Sequence, residues 1–468
     1  MPGGRQHPAF RSDAPDHVPI AGGNLAVHYQ HQQDINETED NRRKPKTKKQ
    51  HRNRLKAIIE WLQTHYPEYA TGAGGVVEIS AATCNNPNFF QHTNTMDLYY
   101  EGINVTFIKA FLGSVKRKEN GKMCSFSHIR KFHDAILFGA EQAGHILPRM
   151  YHQEMQKFLE SFKKESVKAR REGNVDEQDA DPIPFPLYEL TCRWSVEAGN
   201  MFAWAYTVFL WHCMGRSASV DPLGIHNFAR GMDALRITYD DSKADGAGDR
   251  VSPKNVYANP LNPSICPMTA LGIWMMLRNE TFIANRDGIF LENGTLGTAS
   301  HRYCRQLGEL FMDHRDEVSQ FCRPERAKSH GFRKGSATHA TSGTTNPPPL
   351  PSVSKRGEWS QGGVFDKYFL FAEPGDQYLG RCLTGLPQND VNFSLLPPHF
   401  PCGIENDSVH AGLRLCFGNI MDLFQDCNAG LVGVLLLLLG SVVYHFESFV
   451  KPIIANDPSH PFSGLTLL

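Results

Sequence analysis

The chain has 468 residues, more than one ordinary hydrophobic core accommodates, so two or three domains are expected. Its formal net charge of -1 excludes a uniformly basic nucleic-acid binder, so any such role must rest on where the charge is placed. The 11 cysteines form no C-x-x-C pair and no Cys/His cluster with zinc spacing; they predict buried or free thiols in a reducing compartment and no structural metal.

Residues 1–48 are rich in Gly, Pro, His, Gln and Asp without apolar periodicity, and they predict a disordered basic N-terminal tail with no secretory signal. The run from Arg42 to Lys56, RRKPKTKKQHRNRLK, is densely basic. It reads as a nuclear-import signal, as a DNA-backbone arm using Arg42, Arg43, Lys44, Lys48, Lys49 and Arg52, or as a solvated tail beside a helix.

Residues 49–178 predict a small helical domain. Leu55, Ile58, Ile59 and Leu62 share one helical face; Phe126, Ile129, Phe132 and Ile136 share a second; Met155, Phe158, Leu159 and Phe162 share a third. The charged stretch KKESVKARREGNVDEQDADP reads as a linker. Lys116, Arg117 and Lys118 read equally as a phosphate contact and as a solvated turn. Two N-x-S/T triplets, at Asn36 and Asn104, read as chance matches.

Residues 179–390 predict a mixed domain. The nearly unbroken apolar run Phe202 to Cys213 predicts a core helix, followed by Gly215-Arg216. Ala234-Leu-Arg-Ile-Thr-Tyr has strand alternation, and the Gly/Asp-rich segment Ala244 to Asp249 predicts a hairpin turn. Cys266-Pro267 opens another apolar helix through Leu277. Residues 391–468 predict a C-terminal helical extension. Its stretch Ala429 to Val443 is short for a membrane span, is interrupted by Gly430, Gly433 and Gly440, and reads as a buried helix.

Five separated features stand in a fixed order: Arg216, Lys243, His330-Gly-Phe-Arg333, Trp359 and Tyr368. Each alone has an ordinary structural reading. His-x-x-Arg is commonly a surface ion-pairing motif, and Tyr368 is one of 14 tyrosines. In that order, with Trp359 and Tyr368 nine positions apart, the chain resembles the tyrosine recombinase family, which includes lambda integrase, Cre and the Xer proteins. The wording KSHGFRKGSATHA and WSQGGVFDKY is similar to the Crypton branch of eukaryotic mobile elements.

The resemblance implies a mainly α fold with a small β-hairpin or sheet, in which a helical, SAM-like core-binding domain precedes the recombinase catalytic domain. It implies a clamp on double-stranded DNA and a homotetramer during strand exchange; the basic run Arg42 to Lys56 adds the expectation of a nuclear setting, and the short apolar stretch Ala429 to Val443 that of no membrane span. It also implies strand breakage and rejoining without metal or cofactor. Arg216 and Arg333 are then phosphate forks, Lys243 the general acid, His330 and Trp359 phosphate donors, and Tyr368 the nucleophile that becomes a 3′-phosphotyrosyl ester. Many members carry an acidic residue three positions after the first arginine. Here that position is Ser219, with Asp221 nearby. Tyr378 and Lys254 are rivals of Tyr368 and Lys243 at less suitable spacing, and His339 reads as a helix residue behind the site. The competing readings are a recombinase-derived DNA-binding protein that no longer cuts, a type IB topoisomerase, and a membrane-tethered protein.

Overall fold

A computed structural model describes residues 45–70, 74–78, 96–117, 121–175, 179–240, 252–281, 288–290, 298–359, 373–401, 403–424 and 428–455. The chain divides into two compact units, with the boundary between residues 177 and 178. Among the described residues both are mainly helical, and each has one small antiparallel sheet.

The first unit opens with helix α1 (Pro45–His65), which starts inside the stretch read as disordered. Proline suits a first helical turn because its missing N–H has no partner there anyway, and the lysines and Gln50 that follow are good helix formers. Leu55, Ile58, Ile59 and Leu62 are all buried, and the His51 ring stacks on Phe138 at 4.8 Å between centroids. Strands β1 (Val76–Glu78) and β2 (Met96–Leu98) pair antiparallel, a sheet that apolar periodicity did not indicate because each strand is only three residues long. In α2 (Val105–Ser114) the Asn104 side chain accepts from Thr106 N at 2.9 Å, so the N-x-T triplet is a helix cap. Helix α3 (Phe126–Gln142) is capped by Ser125, and α4 (Arg149–Arg171) continues into the first half of the charged segment read as a linker. Ser166 and Ala169 remain buried there, so the amphipathic period outlasts the change in composition. Lys116 pairs with Glu165 at 2.5 Å and lies over the Phe162 ring, and Arg117 donates to Gly121 O. Both contacts favour the structural reading of that basic run.

The second unit is built around α6 (Met201–His212), of which every residue is buried. A helix apolar on all sides has no solvent face, and its few polar atoms need internal partners. Trp211 Nε1 donates to Leu383 O at 3.1 Å, and Tyr206 Oη donates to Asp221 Oδ1 at 2.5 Å. Around α6 lie α5 (Phe185–Glu197), α7 (Ser217–Val220), α8 (Pro267–Arg278), α9 (Thr298–Asp313), α10 (Arg315–Ser319), α11 (His330–Ser342), α12 (Leu350–Arg356) and α13 (Glu373–Leu383). Strands β3 (Phe228–Arg230), β4 (Leu235–Ile237) and β5 (Lys254–Val256) form one antiparallel sheet in that order; the alternation after Ala234 marks β4, and β3 was not indicated.

The C-terminal region is part of this core. Helix α14 (Asp407–Leu423) precedes α15 (Asn428–Tyr444), whose Leu435, Leu438 and Val442 are buried. A Cβ on Gly272 of α8 would come within 2.8 Å of the Val442 side chain and 3.2 Å of Leu438 O, so the two helices meet closely. Thr269 and Ser441 hydroxyls share a hydrogen bond of 2.8 Å across that contact. Among the described residues no single helix is long and apolar enough to cross a membrane. The pair Gly430–Tyr444 and Phe446–Ile453, bent by 66°, passes only when taken together.

His212 ends α6 fully buried, and its Nε2 donates to Ile265 O at 3.1 Å. Burial, outweighing that hydrogen bond, pushes its pKa down to about 3. A depressed folded value means that the stability is fully present above the unfolded value near 6.5 and is lost as pH falls toward the folded one. Between pH 6.5 and 4.5 this residue alone should withdraw about 2–3 kcal/mol from the second unit. His212→Gln, which keeps an N–H donor, should flatten the pH dependence of urea unfolding by roughly 1 kcal/mol per pH unit. An unchanged slope would assign the acid sensitivity to other groups.

Candidate functional site

Two helix ends and one helix start build the site, and Arg333 joins them. Helix α6 terminates with Met214 N donating to Trp211 O at 3.1 Å and Gly215 N donating to Leu210 O at 3.0 Å. Helix α12 terminates the same way, with Glu358 N on Lys355 O at 2.9 Å and Trp359 N on Ser354 O at 2.8 Å. Both are Schellman ends, which require a left-handed residue where glycine is usual. Here those residues are Met214 (φ 48°) and Glu358 (φ 53°), the positive-φ non-glycine residues of the described chain. Each departure costs about 1 kcal/mol. The first turn presents Arg216 two residues later, and the second presents Trp359 at once.

The Arg333 guanidinium donates through one terminal nitrogen to Met214 O and through the other to Gly357 O. Its side chain is buried, and the guanidinium carbon lies 5.3 Å from the Trp359 ring centroid. One planar fork therefore pins both turns. Helix α11 brings Arg333 into place because Gly331 and Gly335 let the segment before α5 lie directly on it. A Cβ at Gly335 would stand 1.8 Å from Ile183 O, and Ile183 N donates to Gly331 O at 3.0 Å. Asp181 in that segment is held by both Arg323 and Arg326 at 2.9 and 3.1 Å. The glycines of HGFRKG are thus explained by close approach. His330 stands three residues before Arg333, exposed at the start of α11.

A carboxylate and a second cation complete the cluster. Arg216 Nη1 lies 3.2 Å from Glu358 Oε2, and Lys254 Nζ lies 3.2 Å from Glu358 Oε1. Lys254 is only 2% exposed, and its ammonium sits 3.9 Å from the centroid of the Tyr239 ring. Burial pulls the lysine pKa down while Glu358 opposes it. Burial, and then the nearby Arg216 charge, push Arg333 down to about 10, which leaves it a cation at neutral pH. Desolvation, and then the charges of Arg333, Lys334 and Arg216, pull the His330 pKa below its ordinary value, which favours the neutral imidazole.

The structure therefore brings Arg216, Arg333 and Trp359 together from three separated stretches, with His330 one helical turn before Arg333. Lys243 and Tyr368 lie outside the described residues, as do Arg42, Arg43 and Lys44. Lys48, Lys49 and Arg52 lie on α1 of the first unit, with Lys49 exposed. Of the rivals, Tyr378 on α13 donates its hydroxyl to Asn346 O at 2.9 Å, and Lys254 opens β5 in the ion pair just described. His339 stacks on Phe185 at 4.6 Å, on the core side of α11. Asp221 accepts from Tyr206, so the acid beside Arg216 is Glu358 and not a residue that follows it in the chain. Sequence reasoning missed Glu358. The available signal was its place directly before Trp359, at a helix end where a glycine is expected.

Among the described residues, no group of His, Cys, Asp and Glu is arranged to hold a metal ion, and the eight described cysteines are free thiols. No family model matches the chain, and no curated protein matches it.

Proposed function

We propose that this chain cuts and rejoins DNA as a tyrosine recombinase of the Crypton-like branch, acting on double-stranded DNA in the nucleus. The observation that carries the reading is that Arg333 ties together the turns that bear Arg216 and Trp359, with His330 one helical turn before it. A surface ion-pairing His-x-x-Arg would have no reason to draw in an arginine and a tryptophan on two strained turns.

In this reading Arg216 grips a non-bridging phosphate oxygen. Trp359 offers one indole N–H, and the neutral His330 donates to the phosphate and manages the tyrosine proton. The Tyr368 oxygen attacks phosphorus, and the bond from phosphorus to the 5′ oxygen breaks. Lys243 gives its proton to that oxygen. The 3′-phosphotyrosyl ester conserves the bond energy, so the reverse attack by a 5′ hydroxyl rejoins the strand. Four chains would assemble on two DNA sites during exchange.

The test is a nicked duplex carrying the DNA that flanks this coding sequence. Wild type should become covalently attached to it, and Tyr368→Phe should reduce the adduct by at least about a thousandfold. Adduct formation by the phenylalanine variant would remove Tyr368 from the mechanism. A second reading, a recombinase-derived protein that holds DNA without cutting it, has one observation in its favour. Glu358 already neutralises part of the pocket's positive charge. In that case wild type retards the duplex and forms no adduct.

A further inference from the structure

We infer that Glu358 is a positioning residue that aims the Arg216 guanidinium at the scissile phosphate, with Lys254 as the buried counter-charge that holds Glu358 in place. The inference rests on the proposed phosphate pocket and assigns to it two residues from outside the recombinase motif.

The geometry is a relay. The Tyr239 ring backs the Lys254 ammonium at 3.9 Å, Lys254 reaches Glu358 Oε1 at 3.2 Å, and Glu358 Oε2 reaches Arg216 Nη1 at 3.2 Å. Burial falls along it in the order a buttress requires. The Lys254 and Glu358 side chains are 2% and 8% exposed, whereas Arg216, at 23%, is the more open end of the relay. The backbone points the same way. Glu358 occupies a left-handed position that glycine would fill without strain, so the fold tolerates the strain of a side chain there.

The opposite role for the same contacts is a plug, in which Glu358 occupies the phosphate position and must leave when DNA arrives. The energetics disfavour it. Removing Glu358 from a fully buried ammonium leaves an uncompensated interior charge, among the more expensive changes in a protein. A phosphate held by the exposed side of Arg216 leaves the pair with Lys254 undisturbed.

The sign of one substitution separates the two roles. Glu358→Gln keeps the shape and removes the charge. Lys254→Met combined with Glu358→Gln removes both buried charges and serves as the variant in which no lone ammonium threatens folding. Affinity for inorganic phosphate, read from chemical-shift changes and from thermal stabilisation of the full chain, should weaken about tenfold in both variants. Added to Arg216→Ala, the Glu358 change should have no further effect, because it acts through Arg216.

Unchanged or tighter phosphate binding in Glu358→Gln overturns the inference, and tighter binding identifies a plug. An equal loss in the presence and absence of Arg216 also overturns it, because Glu358 would then act by another route. Failure of wild type to bind phosphate leaves nothing to position and overturns it as well. The recombinase reading is judged separately by the wild-type adduct on nicked DNA, which can form whatever the sign of the Glu358 effect.

Discussion

Arg333→Ala should destabilise the second unit by roughly 3–5 kcal/mol and abolish phosphate binding at the pocket. Arg333 donates to Met214 O and Gly357 O inside the protein, with its side chain 3% exposed. Truncation leaves two buried carbonyls without these donors, at about 1–3 kcal/mol each, and a cavity beneath Trp359. It also releases the two left-handed turns, whose strain is sustained only while the surroundings hold them. Arg333→Lys is the sharper variant. It keeps the charge, but a lysine offers a single ammonium and not a planar fork, so it cannot reach both carbonyls in the same way. Its urea midpoint should lie much nearer that of the alanine variant than that of wild type. A lysine variant with the wild-type midpoint would mean that charge alone matters here and that the stapling geometry does not.

The second large effect is expected at Arg356 and Asp376. Arg356 Nε lies 2.8 Å from Asp376 Oδ1, and its Nη2 donates to Asn255 O at 2.6 Å. Asp376 Oδ2 in turn accepts from Asn255 N at 2.7 Å and from Asn255 Nδ2 at 3.0 Å. This buried network joins α12, β5 and α13. It therefore holds the helix that ends in Glu358 and Trp359 against the strand that begins with Lys254. Asp376→Ala strands a buried guanidinium and two donors, and about 3–5 kcal/mol of stability should be lost. Arg356→Met should cost a similar amount by stranding the carboxylate. The double variant should be destabilised by clearly less than the sum, because neither charge is then left alone. Strict additivity in a urea-unfolding cycle would show that the pair is not coupled.

Much of the fold was legible in the sequence because burial leaves a periodic record. The stripe of Leu55, Ile58, Ile59 and Leu62, the unbroken apolar run of α6 and the alternation of β4 each follow from one face, all faces or every second residue meeting the core. The reading was weaker where composition and periodicity disagreed. Helix α4 runs on through charged residues, and α1 begins among lysines, because a helix needs only one buried stripe to continue or a good local propensity to start. The three-residue strands β1 and β2 are too short for any period to register.

The candidate site divides in the same way. Sequence by itself determined the residue types and their order: two arginines, a lysine, a histidine, a tryptophan and a tyrosine at family-like spacing. It also carried the glycines of HGFRKG, whose need for close approach is a backbone requirement. Only the tertiary structure decided which charges face one another. It paired Arg216 with Glu358, 142 positions away, and not with the nearby Asp221, which Tyr206 already occupies. It gave the strand residue Lys254 a buried ion pair, and it set Arg333 to pin two turns. The physical reason is that periodicity records burial, which each residue expresses locally. Ion pairing is fixed by distances between chain segments that meet only after the core has formed, and no local pattern encodes them.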